Sequence, residues 1–338
     1  MADIDETRLA AWMAADVVGF AGPVRLTRFD GGQSNPTYRV AARSGAYVLR
    51  RRPFGALLAS AHAIDREYRV IAALHPTGFP VPRPFGLCLD EAVIGSAFYV
   101  MELVAGRNHW DGPLPGMAPT ERRATYEAMI DTLAALHSVD PVAVGLGDYG
   151  RPGNYFERQV ARWTRQYRAS QTAEMLEIER LIEWLPRTLP EQERSAIVHG
   201  DFRIDNLIFA AGEPRVVAVL DWELSTLGDP LADLAYLLLN WLPFREGRSS
   251  VGGCDLAELG IPDRDAMLAR YAAATGRERI PNLDWHFAFS LFRLACIVQG
   301  IAKRVADGSA SSARAAETAA RVPELARGAW ACAVMAGA

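Results

Sequence analysis

Short segments of alternating apolar and polar residues fill the first hundred positions and predict strands. After them, a helix is expected to begin near Ser60, because apolar residues then recur on one helical face. The Gly- and Pro-rich segment from Val104 to Met117 indicates a linker. The predicted strands of this first part are 24–29, 38–42, 46–50 and 98–101.

Beyond Thr120 the apolar positions recur with helical spacing, and one β-rich insertion interrupts them. Helices are predicted from Thr120 onward, within 156–185, over 263–275 and over 283–307. The insertion is predicted at 197–198, 207–209 and 216–220, the last two forming a hairpin. This pattern predicts an α+β protein with a β-rich N-terminal lobe, residues 1–104, and a larger, mainly helical C-terminal lobe, residues 105–338.

The composition disfavours several classes of protein but does not indicate which reaction the protein catalyses. The 338 residues exceed the usual size of a single core, and the net charge of −4 implies no broad basic surface for nucleic acid. The four cysteines lie far apart, which disfavours a disulfide framework or a structural zinc site. The N-terminal residues are acidic and amphipathic, unlike a signal peptide, and the apolar run 231–242 is too short to span a bilayer and contains Asp233 and Asn240. We therefore expect a cytoplasmic protein that does not act on membranes.

The strongest chemical signal lies between His199 and the end of the predicted hairpin. Asp201 follows a strand and enters a loop, where its carboxylate can accept the proton of a substrate hydroxyl. Asn206 lies five residues later, and Asp221 ends the second hairpin strand, which would bring the two side chains together. Oxygen ligands of this kind suit Mg²⁺, so the spacing predicts a phosphate and metal site for phosphoryl transfer.

These residues resemble the catalytic loop and metal-binding aspartate of the aminoglycoside phosphotransferase family, the small-molecule relatives of protein kinases. The longer segment from His199 to Asp233 is similar to the kinase-like domain that is fused to acyl-CoA dehydrogenases in some larger proteins. The resemblance implies a protein-kinase-like two-lobed fold, ATP and Mg²⁺ as cofactors, and a functional link to an acyl-CoA dehydrogenase. It implies Asp201 as the proton acceptor, and Asn206 and Asp221 as the metal ligands.

The resemblance also implies roles in the first lobe. Glu67 would pair with Arg50, which stands where kinases usually carry lysine; Arg51 is the neighbouring alternative, although strand alternation places it on the opposite face. The backbone from Glu102 to Val104 falls where the family binds adenine. A Gly-rich turn between two strands could cover the phosphates through its backbone N–H groups; its residues are Gly32, Gln33, Ser34 and Asn35.

Further residues are expected to support the site. Arg203 falls where protein kinases carry a lysine that neutralises the transferring phosphoryl group, and His199 is expected to brace the loop. The resemblance implies that Asp229 and Asp233 organise the site, with the first of these holding the loop backbone. Glu223 has two equally good interpretations: an additional metal or substrate contact, or a structural acceptor. Aromatic residues nearby are expected in the core: Trp222, Tyr236 and Trp241.

The sequence indicates the phosphoryl acceptor less clearly than the nucleotide site. Arg293 and Arg304 lie on one face of a predicted helix and could hold an anion, although surface charges and internal ion pairs are the simpler interpretation. The segment 245–327 has no acidic cluster for a cationic aminoglycoside, and the closer resemblance implies a hydroxy acid or its coenzyme A thioester. An amino alcohol, a sugar or an aminoglycoside remains an alternative acceptor.

The sequence also bears on two other functions. A protein kinase fits poorly, because only seven residues separate Asp221 from Asp229, too few for an activation segment. A nucleotide-binding pseudokinase or sensor is motivated by Arg50 in place of lysine, and is opposed by the presence of Asp201.

Overall fold

The computed structural model describes residues 4–29, 35–54, 63–151, 153–244, 247–309 and 314–338. Contacts between residues divide the chain into two compact units, each assembled from separate segments. The first unit comprises Met1–His109, Val142–Gly147 and Asp205–Ser225, and the second comprises Trp110–Pro141, Asp148–Ile204 and Thr226–Ala338. The first is rich in strands and the second in helices, as predicted for an α+β protein.

The secondary structure of the described residues alternates between the two types in the first unit and is mainly helical in the second. The helices are α1 (Glu6–Asp16), α2 (Ile64–Leu74), α3 (Pro119–Ser138), α4 (Tyr155–Ser170), α5 (Leu176–Trp184), α6 (Leu231–Leu238), α7 (Leu256–Leu259), α8 (Arg264–Ala274), α9 (Asp284–Ala306), α10 (Ala315–Ala319) and α11 (Val322–Met335). The strands are β1 (Arg25–Arg28), β2 (Thr37–Ala42), β3 (Gly45–Arg51), β4 (Pro84–Cys88), β5 (Phe98–Glu102), β6 (Arg107–Asn108), β7 (Ala196–Val198), β8 (Leu207–Phe209), β9 (Val216–Val219) and β10 (Thr226–Gly228).

A five-stranded antiparallel sheet of order β1-β2-β3-β5-β4 forms the centre of the first unit. Its apolar face is covered by α1, whose Leu9 and Met13 are fully buried against Leu49 and Phe98. The register places Arg50 of β3 opposite Tyr99 of β5. A second sheet, of order β6-β8-β9, contains the hairpin predicted from the sequence.

The division into units differs from the single cut expected after residue 104. The hairpin β8–β9 pairs with β6, where Arg107 lies opposite Phe209, so Asp205–Ser225 is grouped with the first unit although it follows the helices in sequence. Helix α1 and strand β4 were not predicted, the strand because its Pro-rich start resembles a loop. The predicted helix near Ser60 is α2, which begins at Ile64; residues 55–62 lie outside the described part.

Helix α9 forms the core of the second unit, with its apolar residues Phe289 and Phe292 fully buried. It is long and apolar enough to cross a membrane by length and composition alone, but 72% of its most apolar window is buried inside the fold, as in a core helix. The short strands β7 and β10 pair antiparallel, with Val198 opposite Thr226. This pairing positions two segments side by side: the loop that follows β7, and the start of α6, which follows β10.

Candidate functional site

The first unit contains a cavity of about 400 Å³, a size typical of small-molecule sites. One part of its wall is apolar and is formed by Val48, Met101 and Val219. Another part is polar and comprises Arg50, Asn206 and Asp221. A cavity with an apolar wall and a charged end suits a ligand with a flat base and a polyanionic tail.

The end of β5 and the residues after it also line this cavity. Glu102 is fixed there twice: its backbone N–H donates to the carbonyl of Arg83 at 2.9 Å, and its carboxylate accepts from the Arg83 N–H at 3.2 Å. Leu103 and Val104 continue the wall. The structure therefore brings the predicted adenine-binding segment to the same cavity as Arg50.

Arg50 joins three carboxylates at the polar end of the cavity. Its Nε lies 2.7 Å from Glu67, its Nη2 lies 2.7 Å from Asp221, and the same Nη2 lies 3.6 Å from Glu223. The predicted Arg50–Glu67 ion pair is confirmed. Arg51 points elsewhere, with its guanidinium 3.6 Å from the ring centroid of Phe54. The planar fork of arginine makes this geometry possible, because one guanidinium can bridge separate carboxylates whereas an ammonium acts as a point charge.

Glu67 is held from several directions although it is only 1% exposed. Its carboxylate accepts from Asn35 Nδ2 at 2.5 Å and from the Tyr99 hydroxyl at 3.1 Å. Burial raises the pKa of Glu67 to about 6, and the charge of Arg50 opposes that rise. Asn35 therefore supports the helix glutamate; the other predicted turn residues, Gly32, Gln33 and Ser34, lie outside the described residues.

Asn206 directly precedes β8 and Asp221 follows β9, so the two residues lie at the same end of the hairpin. Leu220 donates its N–H to the carbonyl of Asn206 at 2.9 Å, and Asp221 follows directly with a positive φ of 66°. Such a conformation is uncommon for a residue other than glycine and recurs at functional sites.

The donor set at this end of the cavity fits magnesium. Three carboxylates surround one guanidinium, which leaves an excess of negative charge. Among the described residues, no group of three His, Cys, Asp or Glu side chains could hold a metal by itself. An amide oxygen and a carboxylate suit Mg²⁺, which is commonly bound by one or two carboxylates together with phosphate oxygens and water.

The loop after β7, residues 199–203, is the predicted catalytic loop and lies in the second unit. The carboxylate of Asp233 accepts from the backbone N–H of His199 at 2.6 Å and from that of Gly200 at 2.8 Å. Burial alone would raise the pKa of Asp233, but hydrogen bonding and charge from His137, with the Gly200 N–H, lower it. The carboxylate that holds this backbone is therefore Asp233, not Asp229 as the resemblance implied.

Asp201 is oriented by residues on both sides of the loop. The Tyr236 hydroxyl donates to its Oδ1 at 2.7 Å, and Arg203 Nε lies 3.7 Å from its Oδ2. Its own backbone N–H donates to His199 Nδ1 at 3.1 Å, which gives His199 the bracing position expected for it. Tyr236 was predicted only as a core residue, and its helical spacing offered no sign of this contact. Trp222 is 1% exposed, as a core residue should be.

Arg293 differs most from its predicted role. Its side chain is buried, it donates to the carbonyl of Gly200, and its guanidinium lies over the rings of Trp163 and Tyr236 at 5.6 and 5.5 Å. It supports the catalytic loop from inside the fold instead of lining an acceptor site. Arg304, the other member of the predicted stripe, is exposed on α9.

Comparison with known proteins agrees with this geometry. The phosphotransferase enzyme family (APH) matches residues 25–285. Mouse acyl-CoA dehydrogenase family member 10 is 46% identical over 314 residues, 91% of this chain but 29% of that protein. Rat acyl-CoA dehydrogenase family member 11 is 42% identical over 329 residues, 95% of this chain and 42% of that protein. The chain thus spans less than half the length of these relatives.

Comparison with solved structures shows that the similarity includes the fold. A Ralstonia eutropha protein of the aminoglycoside phosphotransferase type is 47% identical and superposes with a TM-score of 0.90, covering 98% of this chain and 99% of that one. Spectinomycin phosphotransferase, solved with ADP and spectinomycin, is 10% identical and shares the fold with a TM-score of 0.63, covering 98% and 99%. The predicted kinase-like fold is confirmed, and the chain belongs to the APH phosphotransferase family.

Proposed function

We propose that this chain transfers the terminal phosphoryl group of ATP to a hydroxyl group of a small molecule. The observation that carries the proposal is the cavity of the first unit, where Arg50, Asn206 and Asp221 form a charged end beside an apolar wall. ADP is bound by spectinomycin phosphotransferase, which shares the fold.

The roles of the residues follow from their contacts. Magnesium bound with ATP would supply charge neutralisation at the phosphates, and Asn206 and Asp221 would hold it. Asp201, oriented by Tyr236, accepts the proton of the attacking hydroxyl. Arg50 and Arg203 offset the negative charge of the phosphoryl groups.

A hydroxy acid or its coenzyme A thioester is the acceptor that we favour. Positive charge gathers on α4 at Arg162 and Arg165, where burial, and then the charges of the loop-supporting Arg293 and of Arg165, lower the pKa of Arg162. A site for a polycationic aminoglycoside would instead gather carboxylates. The relatives named acyl-CoA dehydrogenase support an acyl substrate, and a functional link to such an enzyme belongs to the same proposal. An amino alcohol, a sugar or an aminoglycoside is the alternative.

The test is a coupled ADP-release assay with MgATP and a panel of hydroxy acids, their coenzyme A thioesters, amino alcohols, sugars and aminoglycosides. A general base contributes about 10²–10⁴-fold. Asp201→Asn should therefore lower turnover of the active acceptor by about that factor, while the Kd for MgATP stays near normal. Asp265→Asn, the same change at an exposed site on α8, is the matched control. Wild-type turnover in Asp201→Asn would remove that residue from the mechanism.

A nucleotide sensor without turnover is the second candidate. The bond between Arg50 and Asp221 favours it, because a guanidinium occupies the carboxylate that a metal would use. Tight MgATP binding in calorimetry, together with no stimulation by any acceptor, would support the sensor; any Asp201-dependent turnover would exclude it.

A further inference from the structure

A second cavity, of about 330 Å³, lies wholly within the second unit. Its walls come from the end of α5 and the segment after it, from Arg277, from the first turn of α9 and from Asp229. None of the catalytic-loop residues 199–203 is among the described residues that line it. Its volume lies within the range of small-molecule sites. Asp229 belongs to the motif between His199 and Asp233 but does not hold the catalytic loop. It lines this second cavity instead.

Two opposite charges are buried in these walls without pairing with each other. Asp229 is 2% exposed and the Arg277 side chain is 5% exposed. Arg277 Nη1 lies 3.1 Å from the exposed Glu193, and Asp229 Oδ1 accepts the N–H of Leu231 at 2.8 Å. In the described structure, no nitrogen of Arg277 comes within 4.0 Å of an Asp229 oxygen.

Each of the two groups keeps one atom available to the cavity. Within the described part of the chain, Asp229 Oδ2 and Arg277 Nη2 have no hydrogen-bond partner, and neither is sealed off from the cavity. Burying a charge costs free energy unless a partner compensates it. Burial accordingly raises the pKa of Asp229 to about 6, and the Leu231 N–H and then the charge of Arg277 offset that rise only in part. A ligand that contacts both atoms would supply the missing compensation.

We propose that this cavity binds a small zwitterion of the amino-acid type, its carboxylate on Arg277 and its ammonium on Asp229. A simple anion would meet the carboxylates of Asp229 and Glu193, and a simple cation would leave Arg277 Nη2 without a hydrogen-bond acceptor. A metal ion is disfavoured, because the described residues contain no suitable cluster of three ligands. The indole rings of Trp184 and Trp285 line the remaining wall and suit an apolar side chain.

The position of the cavity connects it to the catalytic loop through the backbone. Asp229 follows β10, which pairs with the strand that leads into the loop, and it lies two residues before the start of α6. Helix α6 carries Asp233 and Tyr236, two of the side chains that hold the loop. Occupation of the cavity should therefore stiffen the base of the loop and regulate turnover. The binding itself is independent of phosphoryl transfer, because it needs neither nucleotide nor acceptor.

The test uses the full chain without nucleotide. Isothermal calorimetry and the unfolding temperature are measured against glycine, β-alanine, γ-aminobutyrate, δ-aminovalerate and leucine. Because the two charged groups are at fixed positions, we expect binding to depend on the separation of ammonium and carboxylate, with one best spacing. Asp229→Asn and Arg277→Met should each weaken that binding by about tenfold or more, the value of one charge-assisted hydrogen bond.

Controls separate loss of binding from loss of fold. Asparagine can still accept the N–H of Leu231, so Asp229→Asn should remain folded. If Arg277→Met does not fold, Arg277→Lys takes its place, because lysine keeps the positive charge. Glu191→Gln removes an exposed charge that lines the same cavity. It should alter the affinity by less than about twofold, because interactions between exposed charges contribute little. Two results would overturn the proposal: no shift with any zwitterion at tens of millimolar, or equal binding of methylammonium or acetate.

Discussion

Replacing Arg50 tests how the charged end of the nucleotide cavity is held together. In the structure its guanidinium bonds to the buried Glu67 and to Asp221 at 2.7 Å each. Methionine at this position would remove both bonds and leave Glu67, which is 1% exposed, without its cation. Lysine would keep the positive charge but could bond well to only one carboxylate at a time.

The two substitutions should therefore lower the free energy of unfolding by different amounts. Removing one partner of a buried ion pair destabilises a protein by about 3–5 kcal/mol, which is the expected effect of Arg50→Met. In Arg50→Lys the ammonium should stay with Glu67 and release Asp221, whose side chain is 35% exposed and can be hydrated. The loss of that partly exposed contact should cost about 0.5–1 kcal/mol.

Urea unfolding followed by tryptophan fluorescence measures both values. Arg39→Met and Arg39→Lys, on an exposed position of β2, are the matched controls and should change the free energy of unfolding by less than about 0.5 kcal/mol. Calorimetry with MgATP then shows whether Arg50→Lys, having released Asp221, binds the nucleotide as well as wild type does. Equal costs for Arg50→Met and Arg50→Lys would refute the reasoning, because they would mean that the charge beside Glu67 is unimportant.

Two further predictions concern the second unit. Tyr236→Phe removes the hydrogen bond to Asp201 and should lower kcat about 10-fold to 100-fold with little change in the Kd for MgATP. Tyr167→Phe is the matched control, because it removes a buried tyrosine hydroxyl on α4 that donates to the carbonyl of Ala173. Equal kcat values in the two variants would exclude a positioning role for Tyr236. Asp229 binds its proton more tightly in the folded state, with a pKa of about 6 against 3.8, so its contribution to stability is complete below about pH 4 and is lost as the pH rises to about 6. As the pH rises across that range, the wild type should thus lose about 2–3 kcal/mol of unfolding free energy relative to Asp229→Asn, and a constant difference between the two would contradict the burial argument.

Local sequence patterns predicted the parts of the site that depend on local geometry. The hairpin that carries Asn206 and Asp221 follows from two short β-type segments and a turn, and it forms as expected. Arg50 rather than Arg51 pairs with Glu67 because side chains alternate along a strand.

Contacts between distant helices could not be predicted in this way. Arg293 lies 93 residues from the carbonyl that it contacts, and Tyr236 lies 35 residues from Asp201. Their spacing on α9 and α6 indicated only which helix face each occupies; the distance to the loop is set by how the helices pack. The exchange of roles between Asp229 and Asp233 has the same origin, because only the packed start of α6 decides which carboxylate meets the loop.

The attachment of the loop to Asp233 has a consequence for amide hydrogen exchange. The N–H groups of His199 and Gly200 both donate to one buried carboxylate, that of Asp233. They can exchange with deuterium only when that carboxylate withdraws, so the two amides should share a single opening free energy. Their protection would then report the detachment of the loop from α6, separately from any fraying of the short sheet formed by β7 and β10.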